Sequence, residues 1–128
     1  MKKIIFSLVV LSTIMACGGN DSKKEEPKKE ETVEDVSKHP DYKKGLALIA
    51  KSDCLTCHKV DETLTGPPYR DVANKYAGMP DTIIGHLAGK IISGGSGIWG
   101  TTFMTAHTGL SKEDAEAMVK YILLLKNK

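Results

Sequence analysis

Apolar residues recur at helical spacing in four stretches of the later part of the chain. Side chains three or four positions apart share one face of a helix, so this spacing predicts helices at 41–51, 69–76, 81–92 and 111–126. The side chains predicted to face inward are Tyr42, Leu46, Ile49 and Ala50 in the first helix, Ile83, Ile84, Leu87 and Ile91 in the third, and Ala115, Met118, Val119, Ile122 and Leu125 in the fourth. No stretch shows the apolar–polar alternation of a half-buried strand. The pattern therefore predicts an all-α fold.

Residues with strong preferences for helix ends mark the borders of these segments. Asp81 and Ser111 stand at the expected N-cap positions of the third and fourth helices, where a side-chain oxygen can accept from a free backbone N–H. Gly94 follows the third helix, and glycine favours termination there. Two long stretches without periodicity remain, at 59–68 and 93–109. Loops of this length in so small a domain commonly line a site.

The first residues have the pattern of an export signal. Two lysines precede an apolar stretch at 4–15, which has the length of a signal peptide core and is too short to cross a bilayer. Residues 1–16 are therefore assigned to a signal peptide. The run Ile14-Met15-Ala16-Cys17 resembles the lipoprotein box of bacterial signal peptides, which implies cleavage before Cys17 and a lipid on its sulfur. The alternative is an ordinary signal peptide that ends by chance at a cysteine.

Residues 18–40 differ in composition from the rest of the chain. They hold seven acidic residues and five lysines, and valine is their only large apolar residue type. Such a segment cannot bury enough apolar surface to offset the entropy lost on ordering, so we predict a disordered tether. The predicted organisation is a signal peptide at 1–16, the lipidated cysteine plus tether at 17–40, and a folded domain at 41–128. The formal net charge of +2, without basic clusters, gives no reason to expect nucleic-acid binding.

The most specific chemistry lies in Cys54-Leu55-Thr56-Cys57-His58, which has the C-x-x-C-H spacing of covalent haem attachment. Two intervening residues let one helical turn present both thiols to the two vinyl groups of one haem. His58 follows directly and can ligate iron through a neutral imidazole nitrogen, while its other N–H seeks a backbone carbonyl. A haem also suits a domain that has few aromatic residues to fill its core.

Three other uses of the cysteine pair fit the sequence less well. A zinc ribbon needs a second cysteine pair or paired histidines, and the only further cysteine is Cys17. A thioredoxin-like redox pair needs a βαβ context, which the helical pattern does not provide. A disulfide between Cys54 and Cys57 would leave His58 without a role.

Further short motifs surround the cysteine motif in a fixed order. They are Gly45 in the first helix, 65–73 with the sequence TGPPYRDVA, 94–100 with the sequence GGSGIWG, Met104, and Tyr121 in the last helix. Together with the cysteine motif they resemble the small class I bacterial cytochromes c. The resemblance implies about four short helices wrapped around one covalent haem c. It also implies that Met104 is the second axial ligand, and a thioether there favours ferrous iron and raises the reduction potential.

Other residues remain open as the second iron ligand. His107 lies in the same loop and could bind if the loop shifted, which would give a bis-histidine site. Met118 falls on the apolar face of the last helix, as a core residue would, and Met79 precedes a proline at a helix start. Relatives often place prolines around the axial methionine and an asparagine after it. Here the loop around Met104 lacks proline, and His107 stands in the place of the asparagine.

The resemblance implies four supporting roles. Pro67 supplies the carbonyl that accepts from the imidazole N–H, and Trp99 donates to a haem propionate. Lys90 stands where relatives often have an arginine near a propionate. A lysine keeps the positive charge but cannot form the bidentate hydrogen bonds of an arginine. Gly45 and Tyr121 are expected where the first and last helices cross closely. Each residue also has a plainer interpretation. Pro67 would be a turn residue, Trp99 a core aromatic, Lys90 a solvated charge and Gly45 a neutral glycine within a helix.

Protein ligands on both faces of the iron leave no position for a substrate, so we expect a single-electron carrier and not an enzyme. The expected partners are membrane-associated redox proteins of a respiratory chain, such as a quinol-oxidising complex or a terminal oxidase. The N-terminus implies export and membrane anchoring, in the periplasm or on the outer face of the cytoplasmic membrane. The alternative function is a haem sensor or a peroxidase-like enzyme in which the bond to Met104 is labile.

Overall fold

The computed structural model describes residues 35–127. Its four α-helices are α1 Pro40–Lys51, α2 Tyr69–Tyr76, α3 Thr82–Ser93 and α4 Lys112–Leu124. Each helix end lies within two residues of its predicted position, so the helical prediction is confirmed. Short 3₁₀ turns at Val36–Lys38 and Asp53–Thr56 flank α1, and no helix of the described part is long and apolar enough to cross a membrane. The signal peptide, Cys17 and most of the tether lie outside the described residues.

The prediction that the chain has no strand was wrong, because the loop after α3 contains a short antiparallel hairpin. Strand β1 is Gly95–Gly97 and strand β2 is Gly100–Met104, with Gly95 opposite Met104 and Gly97 opposite Gly100. These three glycines have φ between 107° and 151°. A glycine adds nothing to an apolar–polar alternation, so the sequence carries no strand signal here. The hairpin is small, and the fold class remains all-α.

Residues 35–40, which precede the first predicted helix, contain a short turn and the cap of α1. Asp35 accepts a hydrogen bond from the backbone N–H of Ser37 at 3.1 Å, and His39 Nδ1 accepts one from the N–H of Asp41 at 3.2 Å. Pro40 takes the first position of α1, where a missing N–H costs no helical hydrogen bond. The side chains of Asp35 and His39 thus cap the turn and the helix.

Helices α1 and α4 come into close contact at Gly45. A Cβ atom at that position would collide with the backbone carbonyl of Ala117 and with Cβ of Tyr121. The ring of Tyr121 meets Tyr42 edge to face, with 5.1 Å between the centroids. The predicted close crossing of the first and last helices is therefore confirmed, and it requires a residue without a side chain on α1.

The same crossing decides which face of α1 is buried. Gly45 is buried and Ile49 is only 1% exposed, whereas Leu46 and Ala50 are exposed. Half of the inward positions predicted for α1 were thus wrong. Helix α1 approaches α4 most closely at Gly45. A prediction from the spacing of large apolar residues does not include a glycine, so it chose the wrong face.

Helix α4 supplies most of the core. Its predicted inward residues are all buried: Ala115, Met118, Val119, Ile122 and Leu125. They cluster with Ile49 from α1, Ala73 from α2 and Ala88 from α3, so the other three helices all contact α4. Ser111 caps the helix as predicted, because its Oγ accepts from the N–H of Asp114 at 3.1 Å.

The cap predicted at Asp81 does not form. The backbone of Asp81 is already helical, with φ −57° and ψ −18°, and its side chain makes no capping hydrogen bond. A capping side chain needs extended backbone in order to reach back to the first turn. The other end of α3 follows the prediction, because Gly94 ends the helix with φ 68°.

Candidate functional site

A cavity of about 350 Å³ is lined by residues from all four helices, both strands and the Asp53–Thr56 turn. The site residues expected from the sequence in the described part all contribute to its wall: Cys54, Cys57, His58, Pro67, Lys90, Trp99 and Met104. His107 lines the cavity as well, whereas Met79 does not and is 49% exposed. The structure therefore brings the expected residues together at one place.

The two cysteines belong to the tight turn after α1. The backbone N–H groups of Cys57 and His58 both donate to the carbonyl of Cys54, at 3.2 and 3.0 Å. These bonds hold the two thiols and the imidazole on a single turn of backbone. Cys54 is half-buried and Cys57 is exposed, and no disulfide joins them. Burial raises the pKa of the Cys54 thiol, so this group stays protonated at neutral pH.

The imidazole of His58 is held from three sides. Its Nδ1 lies 2.8 Å from the carbonyl oxygen of Pro67. A carbonyl can only accept, so Nδ1 carries the proton and Nε2 keeps a free lone pair. The ring of Tyr69 stacks on it with centroids 5.3 Å apart, and a Cβ at Gly66 would lie within 2.8 Å of both ring nitrogens. The contact with Pro67 that the family resemblance implied is thus present.

Arg70 secures the loop that carries Pro67. Its Nε pairs with the carboxylate of Asp61, and its Nη1 donates to the carbonyl of Leu125 at 2.6 Å. The hydrogen bond from Arg70 lowers the pKa of the Asp61 carboxyl, so the pair stays charged across the neutral range. The backbone N–H of Arg70 also donates to the carbonyl of Val60 at 3.0 Å. One side chain therefore joins this loop to the end of α4.

Met104 is the last residue of β2 and lies half-buried in the cavity wall. A Cβ at Gly94 would lie 2.5 Å from the carbonyl oxygen of Met104 and 2.8 Å from the nitrogen of Ala106. Only a residue without a side chain lets α3 end so close to this loop. Met118 also borders the cavity, but it is 1% exposed and belongs to the core cluster. Met104 therefore lines the cavity from the hairpin, whereas Met118 lines it from the helical core.

Lys90 and Trp99 add hydrogen-bond donors to the cavity wall. An ammonium and an indole N–H can donate and have no lone pair to accept with. Lys75 adds positive charge nearby, since its Nζ lies 5.5 Å from the centroid of the Trp99 ring. This part of the wall therefore suits an anionic group such as a carboxylate.

The sequence did not predict two sets of contacts in the site, one around the His58 ring and one at His107 in the loop after Met104. Gly66 and Tyr69 were recognised only as parts of a family motif, whereas in the structure they enclose the His58 ring. His107 Nε2 lies 2.9 Å from Oδ1 of Asp53, a residue that no motif singled out. These two residues are 54 positions apart, so no local pattern could have joined them.

The residues around the cavity fit a covalently attached haem. Two thiols on one turn match its two vinyl groups, and the Nε2 lone pair of His58 and a thioether are suitable donors for its iron. Apolar side chains such as Val72, Ile91 and Val119 line the cavity where a porphyrin would need apolar contact. The donors at Lys90 and Trp99 match the propionates.

Known proteins resemble the chain over the same region. The family model described as Cytochrome c matches residues 42–126. Cytochrome c-552 of Nitrosomonas europaea is 42% identical over 79 residues, which cover 62% of this chain and 76% of that protein. Cytochrome c-552 of Hydrogenobacter thermophilus is 39% identical over 79 residues, which cover 62% of this chain and 79% of that protein.

A solved structure agrees with the fold as well as with the sequence. The crystal structure of wild-type Nitrosomonas europaea cytochrome c552 matches with a TM-score of 0.59 and 41% identity, over 63% of this chain and 99% of that chain. The four helices and the cavity between them are thus a class I cytochrome c fold, and the C-x-x-C-H thiols are its attachment points for one haem c. The chain belongs to the cytochrome c family.

Proposed function

We propose that this protein is a mono-haem electron carrier in which His58 and Met104 are the axial iron ligands. The observation that supports this most strongly is that both side chains line one cavity together with the thiols of Cys54 and Cys57. The haem, when bound, supplies a one-electron couple at its iron. The protein contributes the ligands, their orientation and a largely apolar enclosure.

The protein orients His58 as a donor that would hold an iron. The bond from its Nδ1–H to the Pro67 carbonyl fixes the tautomer and directs the Nε2 lone pair as the donor. The same hydrogen bond makes the ring a stronger electron donor. Met104 would add a soft, neutral sulfur, which favours ferrous iron and raises the reduction potential. With both positions filled, the iron would have no site for a substrate.

Gly66→Ala tests the enclosure of His58. The added Cβ would press on the ring, which must then move away from the Pro67 carbonyl. We expect the unfolding free energy of the holoprotein to fall by about 1–3 kcal/mol and the haem absorption bands to shift. Denaturant titration followed by absorption measures both changes. Gly109→Ala, at an open position, is the control, and equal unfolding free energies for the two variants would contradict the role of Gly66.

Electrons would pass to and from partner proteins through the rim of the cavity. Lys51, Lys59 and Lys90 are exposed lysines that lie near the cavity residues in sequence, and Lys90 lines the cavity itself. Small and short-lived contacts suit such an exchange. We propose respiratory partners of the membrane, a quinol-oxidising complex as donor and a terminal oxidase as acceptor.

Membrane attachment through Cys17 is the second part of the proposal. Residues 1–16 would be the signal peptide, and 17–40 the lipidated cysteine with its tether. Acyl chains on Cys17 would hold the domain at a membrane in the periplasm or on the outer face of the cytoplasmic membrane. We expect Cys17→Ser to move the haem protein from the membrane fraction to the soluble exported fraction. A variant that stays in the membrane fraction would contradict the anchor.

Carbon monoxide distinguishes the electron carrier from a sensor or a peroxidase-like enzyme. Reduced wild-type holoprotein is expected to keep its absorption spectrum in carbon monoxide, because Met104 occupies the iron position that the gas needs. Rapid binding by the wild type would instead favour the alternative function with a labile methionine.

A further inference from the structure

The side chains of Asp53 and His107 join two segments of the site that are distant in sequence. His107 Nε2 lies 2.9 Å from Oδ1 of Asp53. Asp53 directly precedes the first haem-binding cysteine, and His107 lies three positions after Met104. We call residues 104–110, which end β2 and follow it, the Met104 loop, and residues 53–58 the cysteine turn. Within residues 35–127, the contact between His107 and Asp53 is the only side-chain hydrogen bond between the two.

The geometry defines the direction of this hydrogen bond. A carboxylate accepts, so Nε2 of the imidazole donates. Nδ1 of His107 is buried and has no hydrogen-bond partner among the described residues. The hydrogen bond from His107 lowers the pKa of the Asp53 carboxyl, which therefore stays ionised at neutral pH. The His107 side chain is 20% exposed and Asp53 is 74% exposed. The imidazole is thus enclosed, and its one partner reaches it from the surface.

Little else joins the loop after Met104 to the cysteine turn. The backbone N–H of His107 donates to the carbonyl of Ile91 at 3.1 Å, which attaches the loop to the end of α3. No proline restricts the backbone from β2 to His107, and Gly97 and Gly100 precede it in the hairpin with positive φ. The backbone contacts of this loop therefore run to the end of α3 and to β1, and the side-chain contact is what joins it to the cysteine turn.

We propose that Asp53 and His107 are positioning residues whose hydrogen bond clamps the Met104 loop to the cysteine turn and slows the release of Met104 from the iron. The inference rests on the proposed role of Met104 as axial ligand. The clamp acts on the loop and not on the iron, so its loss should speed loop opening while the ligand set of the resting protein stays the same.

The rate of imidazole binding to the oxidised holoprotein tests the clamp. At saturating imidazole, Met104 must leave before imidazole binds, so the observed rate reports loop opening. Asp53→Ala removes the acceptor from an exposed position, and we expect the rate to rise about two- to fivefold, as for the loss of one partly exposed side-chain contact. His107→Gln keeps an N–H donor at the end of the side chain, so its rate should stay near that of the wild type, whereas His107→Ala should open faster.

Two comparisons make the result specific to the contact. Glu62→Ala removes another exposed carboxylate, the partner of Lys59 at 2.9 Å, and should leave the rate unchanged. The double variant Asp53→Ala/His107→Ala should open no faster than the faster of its two single variants, because one contact is lost in each. An unchanged rate in Asp53→Ala, an equal rise in Glu62→Ala, or additive effects in the double variant would overturn the clamp.

The wild-type spectrum separates this proposal from the one on which it depends. A far-red sulfur-to-iron band that is present in the oxidised wild type and absent from Met104→Ala shows that Met104 is bound, and the Asp53 and His107 variants then test the clamp alone. A wild type without that band would overturn the assignment of Met104, and the clamp with it, before any variant is measured.

Discussion

Met104→Ala is expected to remove the far-red sulfur-to-iron absorption band, lower the reduction potential and let the reduced protein bind carbon monoxide. The thioether is a soft ligand that stabilises ferrous iron, and its loss leaves one face of the iron without a protein donor. Because axial ligands set haem potentials over about 0.8 V, a fall on the order of 0.1–0.3 V is reasonable for this single exchange. Absorption spectroscopy and redox titration of the purified holoprotein measure all three effects.

The two other methionines of the described part are matched controls. Met79→Ala changes an exposed side chain that does not line the cavity, so the band and the potential should match the wild type. Met118→Ala empties a core position and should lower the unfolding free energy by about 2–5 kcal/mol while the band persists. A Met104→Ala protein that keeps the band would show that another residue supplies the sulfur. A wild type without the band would point to His107 or another donor.

Gly45→Ala is expected to lower the unfolding free energy of the holoprotein by about 1–3 kcal/mol, toward the upper end of that range. The added Cβ would meet the carbonyl of Ala117 and Cβ of Tyr121, and neither can move unless α4 shifts as a whole. Alanine is the better helix former, so propensity alone predicts the opposite sign. Thermal or denaturant unfolding followed by circular dichroism measures the change.

Gly89→Ala is the control for this prediction. Gly89 also lies inside a helix, but a Cβ there would have no neighbour within 4 Å. The substitution should therefore stabilise the protein by about 0.5–1 kcal/mol through helix propensity. If both glycine variants change stability in the same direction, the close crossing of α1 and α4 does not need a glycine.

The helices and the attachment motif could be predicted because their signals are local. Apolar spacing predicted all four helices. The five residues predicted to face inward from α4, from Ala115 to Leu125, are all buried. The C-x-x-C-H run carries its own chemistry at fixed spacing. The prediction for α1 failed at Leu46 and Ala50, because the burial of that helix is set by a glycine contact with another helix.

The rest of the site depends on contacts between residues that are far apart in the sequence. Arg70 reaches the carbonyl of Leu125 across 55 positions, and His107 reaches Asp53 across 54. Such pairs leave no periodic trace, and Arg70 or Asp53 alone looks like a solvated surface charge in the sequence. The hairpin around Met104 was missed for a different reason, since glycines define its turns and leave no alternation of side chains.

X-ray absorption at the iron edge of the oxidised holoprotein is the most direct test of the ligand assignment. The proposal predicts one sulfur ligand and one imidazole nitrogen in addition to the four porphyrin nitrogens, and loss of the sulfur contribution in Met104→Ala. A second imidazole or an oxygen in place of sulfur in the wild type would contradict it.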